Sequence, residues 1–233
     1  MGFVGGAGGP FTPASLPGLL VWLKADSLGL ANNDPVVSYP DSSGNANHFT
    51  GTGSPLFKTG VINGLPAVYY PVGSIHRMTS VNYLPGNPTS GECFFVMKVD
   101  ADVGLDLNVL HDFGIDPAAN HWPFTDGTVY DGWGTDVRKT LGNPTPSLAS
   151  WRLVNLRSEI NSYVAEIDGG ALFSTGTNSV AFNTQPYIGG NAIGAQALVG
   201  HIAEYMQYDH VLSSGDRQQV EDYVETKYAL TIP

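Results

Sequence analysis

Basic residues are scarce in this sequence of 233 residues. It holds 10 Lys and Arg against 21 Asp and Glu, which gives a formal net charge of −11 at pH 7. A surface that binds nucleic acid needs clustered Lys and Arg, and here the nearest approach to a cluster is the pair Arg138 and Lys139. Binding to an anionic membrane surface needs the same basic groups. The composition therefore argues against nucleic acid and against membranes as partners.

Cysteine is almost absent, because Cys93 is the only one in the sequence. A single thiol cannot form an intramolecular disulfide, so the fold has to be stabilised without one. Cys93 precedes Phe94, Phe95 and Val96. This apolar setting predicts a small buried hydrophobic residue rather than a nucleophile.

Long apolar runs and charged residues are also few. No apolar run approaches the roughly 18 residues of a transmembrane span. The N-terminus has no basic region of the kind that begins a signal peptide, so we expect none. Only 13% of the residues are charged, while 42% are hydrophobic. The chain should therefore fold, with Ser, Thr, Asn and Gln at its surface. This suits a sheet-rich protein that is exposed to a harsh exterior or one that is packed against other subunits.

Glycine and proline, by contrast, are abundant, at 29 and 16 residues. They dominate residues 1–18, which cannot form a strand or helix of any length. We interpret this segment as an N-terminal arm. Two hypotheses remain open for it: a flexible extension, or an arm that becomes ordered against a neighbouring subunit.

Short stretches typical of β-strands fill the rest of the chain, separated by turn residues. Residues 19–24 form the first, and residues 92–99 form an apolar run typical of a central strand buried on both faces. Residues 151–159 and 161–168 alternate as two strands of a hairpin chain, and Gly169 and Gly170 predict a tight turn after them. Roughly twelve to fourteen short strands with one helix predict an all-β, two-sheet antiparallel jelly-roll sandwich.

The C-terminal region combines one strand and that helix. Residues 201–212 alternate as a strand with one face exposed to water. Ser213 and Asp216 then have the spacing of a helix-capping box. An apolar stripe with helical spacing follows and should close the sandwich; it consists of Val220, Tyr223, Val224 and Tyr228.

Residues 106–136 are the stretch where a polar site could assemble. Aromatic side chains alternate there with His and Asp, including Asp106 and Asp116, and aromatic faces beside polar groups are typical of sugar-binding sites. The alternative is that the aromatic rings fill the core under an irregular loop. The candidate ligand-binding residues are His111, Asp112, His121, Trp122, Asp126, Tyr130 and Trp133.

Motifs for metals, cofactors and common hydrolases are missing. The sequence has no Gly-x-Ser-x-Gly and no His-Glu-x-x-His. Asp41, Ser43 and Asn45 alternate as in a calcium loop, but Ala46 and Thr52 stand where that loop needs Gly and Glu. We therefore predict a turn, with calcium as the alternative, and we expect no cofactor.

Several stretches together resemble the concanavalin A-like lectin/glucanase superfamily, and within it the laminin-G-like jelly-roll domains. The stretches are LVWLKADS, DSSGNANHFTG, YVAEIDGGALFS, IGG and the C-terminal strand and helix. The resemblance covers residues 17–231 and implies one domain over residues 19–233. Its C-terminal motif is matched by Gly200, Ile202, Ala203, Glu204, Tyr208, Asp209, Leu212, Ser213, Arg217, Tyr223, Lys227 and Tyr228.

The glycoside hydrolases of this superfamily carry their acids on one strand as Glu-x-Asp-x-x-Glu, or with one more residue before the last Glu. Here the only candidate pair is Glu166 and Asp168, and the third acid would fall on Ala171 or Leu172. Neither side chain can protonate a leaving group. We therefore expect no enzymatic activity, and a glycoside hydrolase is the most distant alternative.

Stand-alone laminin-G-like domains of this size are often virion components of tailed bacteriophages. The resemblance thus implies a non-enzymatic structural or decoration protein on the capsid or tail surface, made in the host cytoplasm. Its partners would be other virion subunits, reached through the N-terminal arm, with a homo-oligomer expected and cell-surface glycans as a further ligand. The main alternative is a carbohydrate-binding lectin module that uses the loops of residues 106–136.

Overall fold

The computed structural model describes residues 10–73, 75–80, 83–84, 88–101, 108–114, 120–194 and 196–233. Within them the chain forms two short 3-10 helices, fifteen β-strands and one α-helix, and no helix there is long and apolar enough to cross a lipid bilayer. The 3-10 helices are Pro13–Ser15 and Ala25–Ser27. The other elements are β1 (Leu19–Lys24), β2 (Ser38–Tyr39), β3 (Phe49–Thr52), β4 (Leu56–Ile62), β5 (Leu65–Tyr70), β6 (Arg77–Thr79), β7 (Ser90–Val99), β8 (His111–Gly114), β9 (Val129–Asp131), β10 (Lys139–Gly142), β11 (Arg152–Glu159), β12 (Ser162–Ile167), β13 (Gly170–Thr175), β14 (Phe182–Ile188), β15 (Gly200–Tyr208) and α1 (Ser214–Tyr228).

Eight strands form the larger sheet, in the order β13-β12-β11-β7-β15-β5-β4, with β1 also paired to β15. The neighbours are antiparallel throughout. Strand β7 lies at the centre and is buried without interruption from position 91 to 97. The prediction of a central strand buried on both faces is confirmed, because apolar side chains alternate into two different cores.

The smaller sheet has five strands in the order β2-β3-β6-β14-β8, and β9 pairs with β10 in a separate ribbon. A hydrophobic core lies between the sheets and includes Phe95, Tyr205, Phe113, Trp122 and Trp133. The predicted all-β, two-sheet antiparallel jelly-roll sandwich with one C-terminal helix is confirmed.

A second core lies on the outer face of the larger sheet, under α1. The helix begins after Ser213, whose Oγ accepts a hydrogen bond from the Asp216 amide at 3.1 Å, as the capping pattern predicts. Of the predicted stripe, Val220, Val224 and Tyr228 are buried against this sheet, while Tyr223 is half-buried. The sheet contributes a set of buried, largely apolar side chains to this core, among them Trp22, Phe94, Val96, Leu153, Ala203, Met206 and Tyr208.

Strand β15 does not have the predicted exposed face. From Ile202 to its end every residue is buried, because α1 covers one face and the smaller sheet covers the other. A bulge between Ile202 and Glu204 also shifts the register against β7. Ile202 therefore joins Tyr205 in the inter-sheet core, whereas the alternation placed it with Glu204.

Two fully buried glutamates connect α1 to the larger sheet. Glu204 on β15 accepts hydrogen bonds from the Tyr228 hydroxyl at 2.6 Å and from Lys227 Nζ at 2.9 Å. Glu92 on β7 pairs with Arg217, whose Nε lies 2.7 Å from Glu92 Oε1. A buried carboxylate is tolerated only when its charge and lone pairs are satisfied, so these contacts fix the position of the helix.

The turn between β12 and β13 consists of Asp168 and Gly169, one residue earlier than the predicted Gly169 and Gly170. Ile167 pairs with Gly170 across it. Both turn residues have positive φ, 49° and 73°, as a two-residue type I′ turn requires. Asp tolerates this conformation, so the Asp-Gly pair takes the turn and Gly170 begins the next strand.

The described part of the N-terminal arm, residues 10–18, lies against the chain's own domain. The ring of Phe11 packs edge-on to Tyr223 of α1, with ring centroids 6.4 Å apart. The Tyr208 hydroxyl donates a hydrogen bond to the Pro13 carbonyl at 3.1 Å. Residues 1–9 lie outside the described part, so the arm's contact with another subunit remains a prediction.

Candidate functional site

The two tryptophans predicted to bind a ligand lie in the inter-sheet core. Trp122 and Trp133 are fully buried, as is His111. The structure therefore places these side chains where the alternative hypothesis put them, under the irregular loops. Neither indole presents a face to solvent on which a sugar could stack.

A buried carboxylate that the sequence analysis did not single out, Asp131, holds this region together. Its Oδ1 lies 2.7 Å from His111 Nε2 and accepts a hydrogen bond from Trp122 Nε1 at 2.8 Å. Its Oδ2 accepts from the Trp133 amide at 2.9 Å and from the Tyr163 hydroxyl. These contacts join β8, β9 and β12, so the cluster is a structural element of the core.

The remaining candidates do not converge on one point. Asp112 lies on the other face of β8 from His111, where its Oδ2 accepts a hydrogen bond from the Ala192 amide at 2.7 Å and burial raises its pKa. Asp126 is exposed and forms a local turn with the Thr128 amide.

His121 is buried at the end of the same loop, with its ring against half-buried Tyr130 at 6.3 Å between centroids. Arg138 stands over the Tyr130 ring at 4.8 Å. Asp106 and Asp116 lie outside the described residues. The candidate side chains that the structure describes do not form one site: some lie in the core, and Asp112, Asp126 and the His121–Tyr130 pair lie in three separate places. Ligand binding by the loops of residues 106–136 therefore stays a prediction.

The segment that resembles a calcium loop is a hydrogen-bonded turn in the structure. The Asp41 carboxylate accepts from the backbone amides of Trp22, Ser43 and Asn47, at 2.8, 2.8 and 2.9 Å. The Asn45 side chain donates to the Leu19 carbonyl at 2.7 Å. No group of three or more His, Cys, Asp or Glu side chains within the described ranges is arranged to hold a metal ion.

The acidic pair on β12 and its turn is engaged in ion pairs with β11. Arg157 contacts Glu166, and Arg152 Nη1 lies 3.0 Å from Asp168 Oδ2. The Asp168 Oδ1 also accepts a hydrogen bond from the Leu153 amide at 2.8 Å. These contacts connect the two strands of the hairpin.

A different set of polar and aromatic side chains lies open on the outer face of the larger sheet. Tyr69 of β5 is opposite His201 of β15, and His201 is opposite Lys98 of β7. Trp151 directly precedes β11, beside Lys98. These four half-buried residues form a row across the sheet, which we call the aromatic row.

Side-chain contacts hold the aromatic row in place. The rings of Tyr69 and His201 are 4.5 Å apart between centroids and inclined by 30°. The Trp151 ring meets His201 at 5.9 Å, and its Nε1 donates to the Val61 carbonyl at 3.0 Å. Because these groups rest on central strands, little conformational entropy remains to be lost when a ligand binds.

Charged groups flank the row. Lys98 Nζ stands 5.7 Å from the centre of the Trp151 ring, and Lys58 Nζ of β4 stands 5.3 Å from that of Tyr69. The Tyr69 hydroxyl donates to Asp100 Oδ2 at 2.8 Å, and Asp100 Oδ1 lies 3.5 Å from His201 Nδ1.

The electrostatics of the row leave its imidazole neutral. Burial, helped by the positive charges of Lys98 and Lys58, lowers the pKa of His201 to about 4. Burial and the hydrogen bond to Asp100 raise the pKa of Tyr69 to about 12. At neutral pH the row therefore offers an imidazole, a phenol, one carboxylate and two ammonium groups.

The position of the row follows from the way β15 is divided. The half that pairs with β1, Glu204 to Tyr208, is covered by α1, while the half that pairs with β5, Gly200 to Ile202, carries His201 outward. From β5 to β11 the row crosses three strand spacings, about 14 Å. This is room for a short oligomer rather than a single small molecule.

No known family model matches the sequence, and no curated protein matches it either. Solved structures do resemble it. Domain 4 of AbnA, a GH43 extracellular arabinanase from Geobacillus stearothermophilus, matches with a TM-score of 0.57 and 16% identity, over 88% of this chain and 97% of that domain. The likeness shows a shared β-sandwich fold. The AbnA domain was solved in complex with arabinotriose.

Two larger proteins contain a similar sandwich. Trypanosoma rangeli sialidase in complex with sialic acid matches with a TM-score of 0.63 and 13% identity, over 94% of this chain. The receptor-binding domain of botulinum neurotoxin mosaic serotype C/D matches with a TM-score of 0.62 and 13% identity, over 88%. This chain spans about a third of the sialidase, 35%, and 51% of the toxin domain. At such identities the comparison concerns the fold alone.

Proposed function

We propose that this protein is a non-catalytic carbohydrate-binding module and that an oligosaccharide binds across the aromatic row. The observation that carries the proposal is the row itself, Tyr69, His201, Lys98 and Trp151 side by side on rigid central strands. Sugars are recognised by a few fixed polar groups placed among aromatic surfaces. The row supplies both.

The chemistry of the row suits a sugar in detail. Asp100 is a hydrogen-bond acceptor whose side chain is 35% exposed. A sugar hydroxyl can donate a hydrogen bond to this carboxylate, while the rings of Tyr69, His201 and Trp151 supply the aromatic surface beside it.

The structural neighbours support this proposal at the level of the fold. The AbnA domain, of which this chain covers 97%, was solved with arabinotriose, and the sialidase was solved with sialic acid. The sandwich is thus a scaffold found in proteins that contact sugars. The support for the row as the binding site comes from this chain's own side chains.

The proposal excludes catalysis. Glu166 and Asp168 are the candidate acids, and each is neutralised by an arginine of β11. A general acid has to be free to protonate the leaving group, whereas these two carboxylates are held in ion pairs with β11.

Glycan-array screening followed by calorimetry tests the function. Tyr69→Ala is expected to weaken binding of the best ligand about ten-fold, about 1.4 kcal/mol, because it removes a ring, a hydroxyl and the support of His201. Tyr130→Ala, a half-buried tyrosine in the loops of residues 106–136, is the matched control and should leave the affinity unchanged. If no glycan on the array binds, the proposed function is contradicted. If only Tyr130→Ala loses affinity, the ligand binds at the loops of residues 106–136 instead.

We further propose that the module is part of a larger assembly, as a laminin-G-like, concanavalin A-like subunit on a virion surface. The support is the arm, which Phe11 anchors on α1 and which leads outward to exposed Pro10, and the low charge of the surface. Light scattering after size exclusion should give an oligomer that becomes smaller when residues 1–9 are deleted. A monomer with no affinity for capsid or tail particles would contradict this role.

A further inference from the structure

We propose that the oligosaccharide bound by the aromatic row carries carboxylate groups, and that Lys98 is the residue that selects them, with Lys58 as a second contact. This inference rests on the proposed function and specifies its ligand class.

Four basic residues near the larger sheet are paired with carboxylates, whereas Lys24, Lys58 and Lys98 of that sheet lie over aromatic rings. Arg152, Arg157, Arg217 and Lys227 each form an ion pair with Asp or Glu, at distances of up to 3.2 Å. Lys98 forms none with any described residue, although acids outnumber bases by 21 to 10. Its ammonium group has only the Trp151 ring, a weak and exposed contact that a ligand can displace.

Asp100 forms no ion pair with either lysine among the described residues. Its carboxylate accepts the Tyr69 hydroxyl at 2.8 Å and faces His201 Nδ1 at 3.5 Å. Lys58 Nζ lies over Tyr69 and donates to Asn33 Oδ1 at 2.5 Å, which leaves two of its three protons free. The two ammonium groups thus flank the Tyr69 and His201 pair, and each can bind an anionic group of a ligand.

The net charge of −11 does not prevent an anionic ligand from binding here. At physiological ionic strength, charges more than about 8–10 Å away are largely screened, so the local lysines dominate. A carboxylate on the ligand would form a charge-assisted hydrogen bond with Lys98 Nζ, and the sugar ring beside it would lie against Trp151 and His201. A neutral sugar would leave Lys98 without a partner.

Matched ligands test the charge requirement. Tetragalacturonate, a tetramer of mannuronate and sialyllactose are titrated calorimetrically, each beside its carboxyl-reduced form, in which the carboxylate is a primary alcohol. We expect at least one acidic probe to bind ten-fold or more tightly than its reduced form. Lys98→Gln should remove most of that difference, and Lys98→Arg should restore it in part. Lys139→Gln, the same substitution away from the row, is the control.

The outcomes separate this inference from the function on which it rests. If the protein binds reduced or neutral glycans equally well and needs Tyr69 to do so, the function stands and the carboxylate preference is wrong. The preference is also wrong if none of the acidic probes binds, or if Lys98→Gln and Lys139→Gln behave alike. If no glycan of any charge binds, both are wrong.

Discussion

Replacing Glu92 with glutamine should destabilise the protein by about 3–5 kcal/mol, the usual cost of removing one partner of a buried ion pair. Glu92 is fully buried and receives Arg217 Nε at 2.7 Å and the Leu212 amide at 2.7 Å. Its side chain also accepts from Asn155 at 2.8 Å. Without its charge, a half-buried guanidinium at the start of α1 loses its partner. Urea unfolding at pH 7 measures the loss.

Two further variants make this result interpretable. Glu225→Gln removes the same charge from an exposed position on α1 and should change stability by less than about 0.5 kcal/mol. Combining Glu92→Gln with Arg217→Met removes both charges and should recover part of the loss, since an uncompensated buried charge is worse than none. A cost below about 1 kcal/mol for Glu92→Gln would mean that the ion pair does not hold α1 on the sheet.

Asp131→Asn should cost about as much, about 3 kcal/mol or more, because four donors converge on its carboxylate. They are His111, Trp122, the Trp133 amide and Tyr163. An amide has one acceptor oxygen and two donor protons, so at least one of the buried donors would face another donor. Asp126→Asn, at an exposed position of the neighbouring loop, is the control.

The same substitution has a defined pH dependence. Burial alone would raise the pKa of Asp131, but the charge and hydrogen bond of His111, with Tyr163 and the Trp133 amide, lower it below its ordinary value. The stabilisation is therefore fully present above the ordinary pKa of about 3.9 and is lost as the pH falls through the lower folded-state pKa. Unfolding at pH 7 and below pH 4 should show the gap between the wild type and Asp131→Asn narrowing in acid. An unchanged gap would contradict the assigned role.

The sandwich and its terminal helix could be predicted from sequence because both depend on local patterns. The continuous apolar run of residues 92–99 fits a strand between two cores, and the spacing of Val220, Val224 and Tyr228 fits a helix on a sheet. The turn at Asp168 was misplaced by one residue because the sequence Asp-Gly-Gly contains two acceptable pairs.

The proposed site could not be predicted from the sequence, since it depends on contacts between distant parts of the chain. Tyr69, Lys98, Trp151 and His201 are brought together only by the strand order of the larger sheet. Each looks like an ordinary outward position near the end of a strand. The sequence pattern favoured the aromatic loop residues instead. Trp122 and Trp133 are buried because the two sheets pack together, and the local sequence does not show that packing.

The bulge in β15 shows the same limit within one strand. A strict alternation puts Ile202 and Glu204 on one face, but one extra residue in the pairing with β7 separates them. A bulge that contains no glycine has no local signal in the sequence. The bulge matters for the fold, because it places Glu204 under α1, where its carboxylate accepts hydrogen bonds from Tyr228 and Lys227.

Chemical-shift mapping by NMR tests the central claim most directly. The protein, labelled with ¹⁵N and ¹³C, is titrated with the strongest ligand from the glycan array. The account predicts the largest shifts at Tyr69, Lys98, Asp100 and His201, together with the Trp151 indole. Shifts confined to residues 120–136, or to Phe11 and α1, would contradict it.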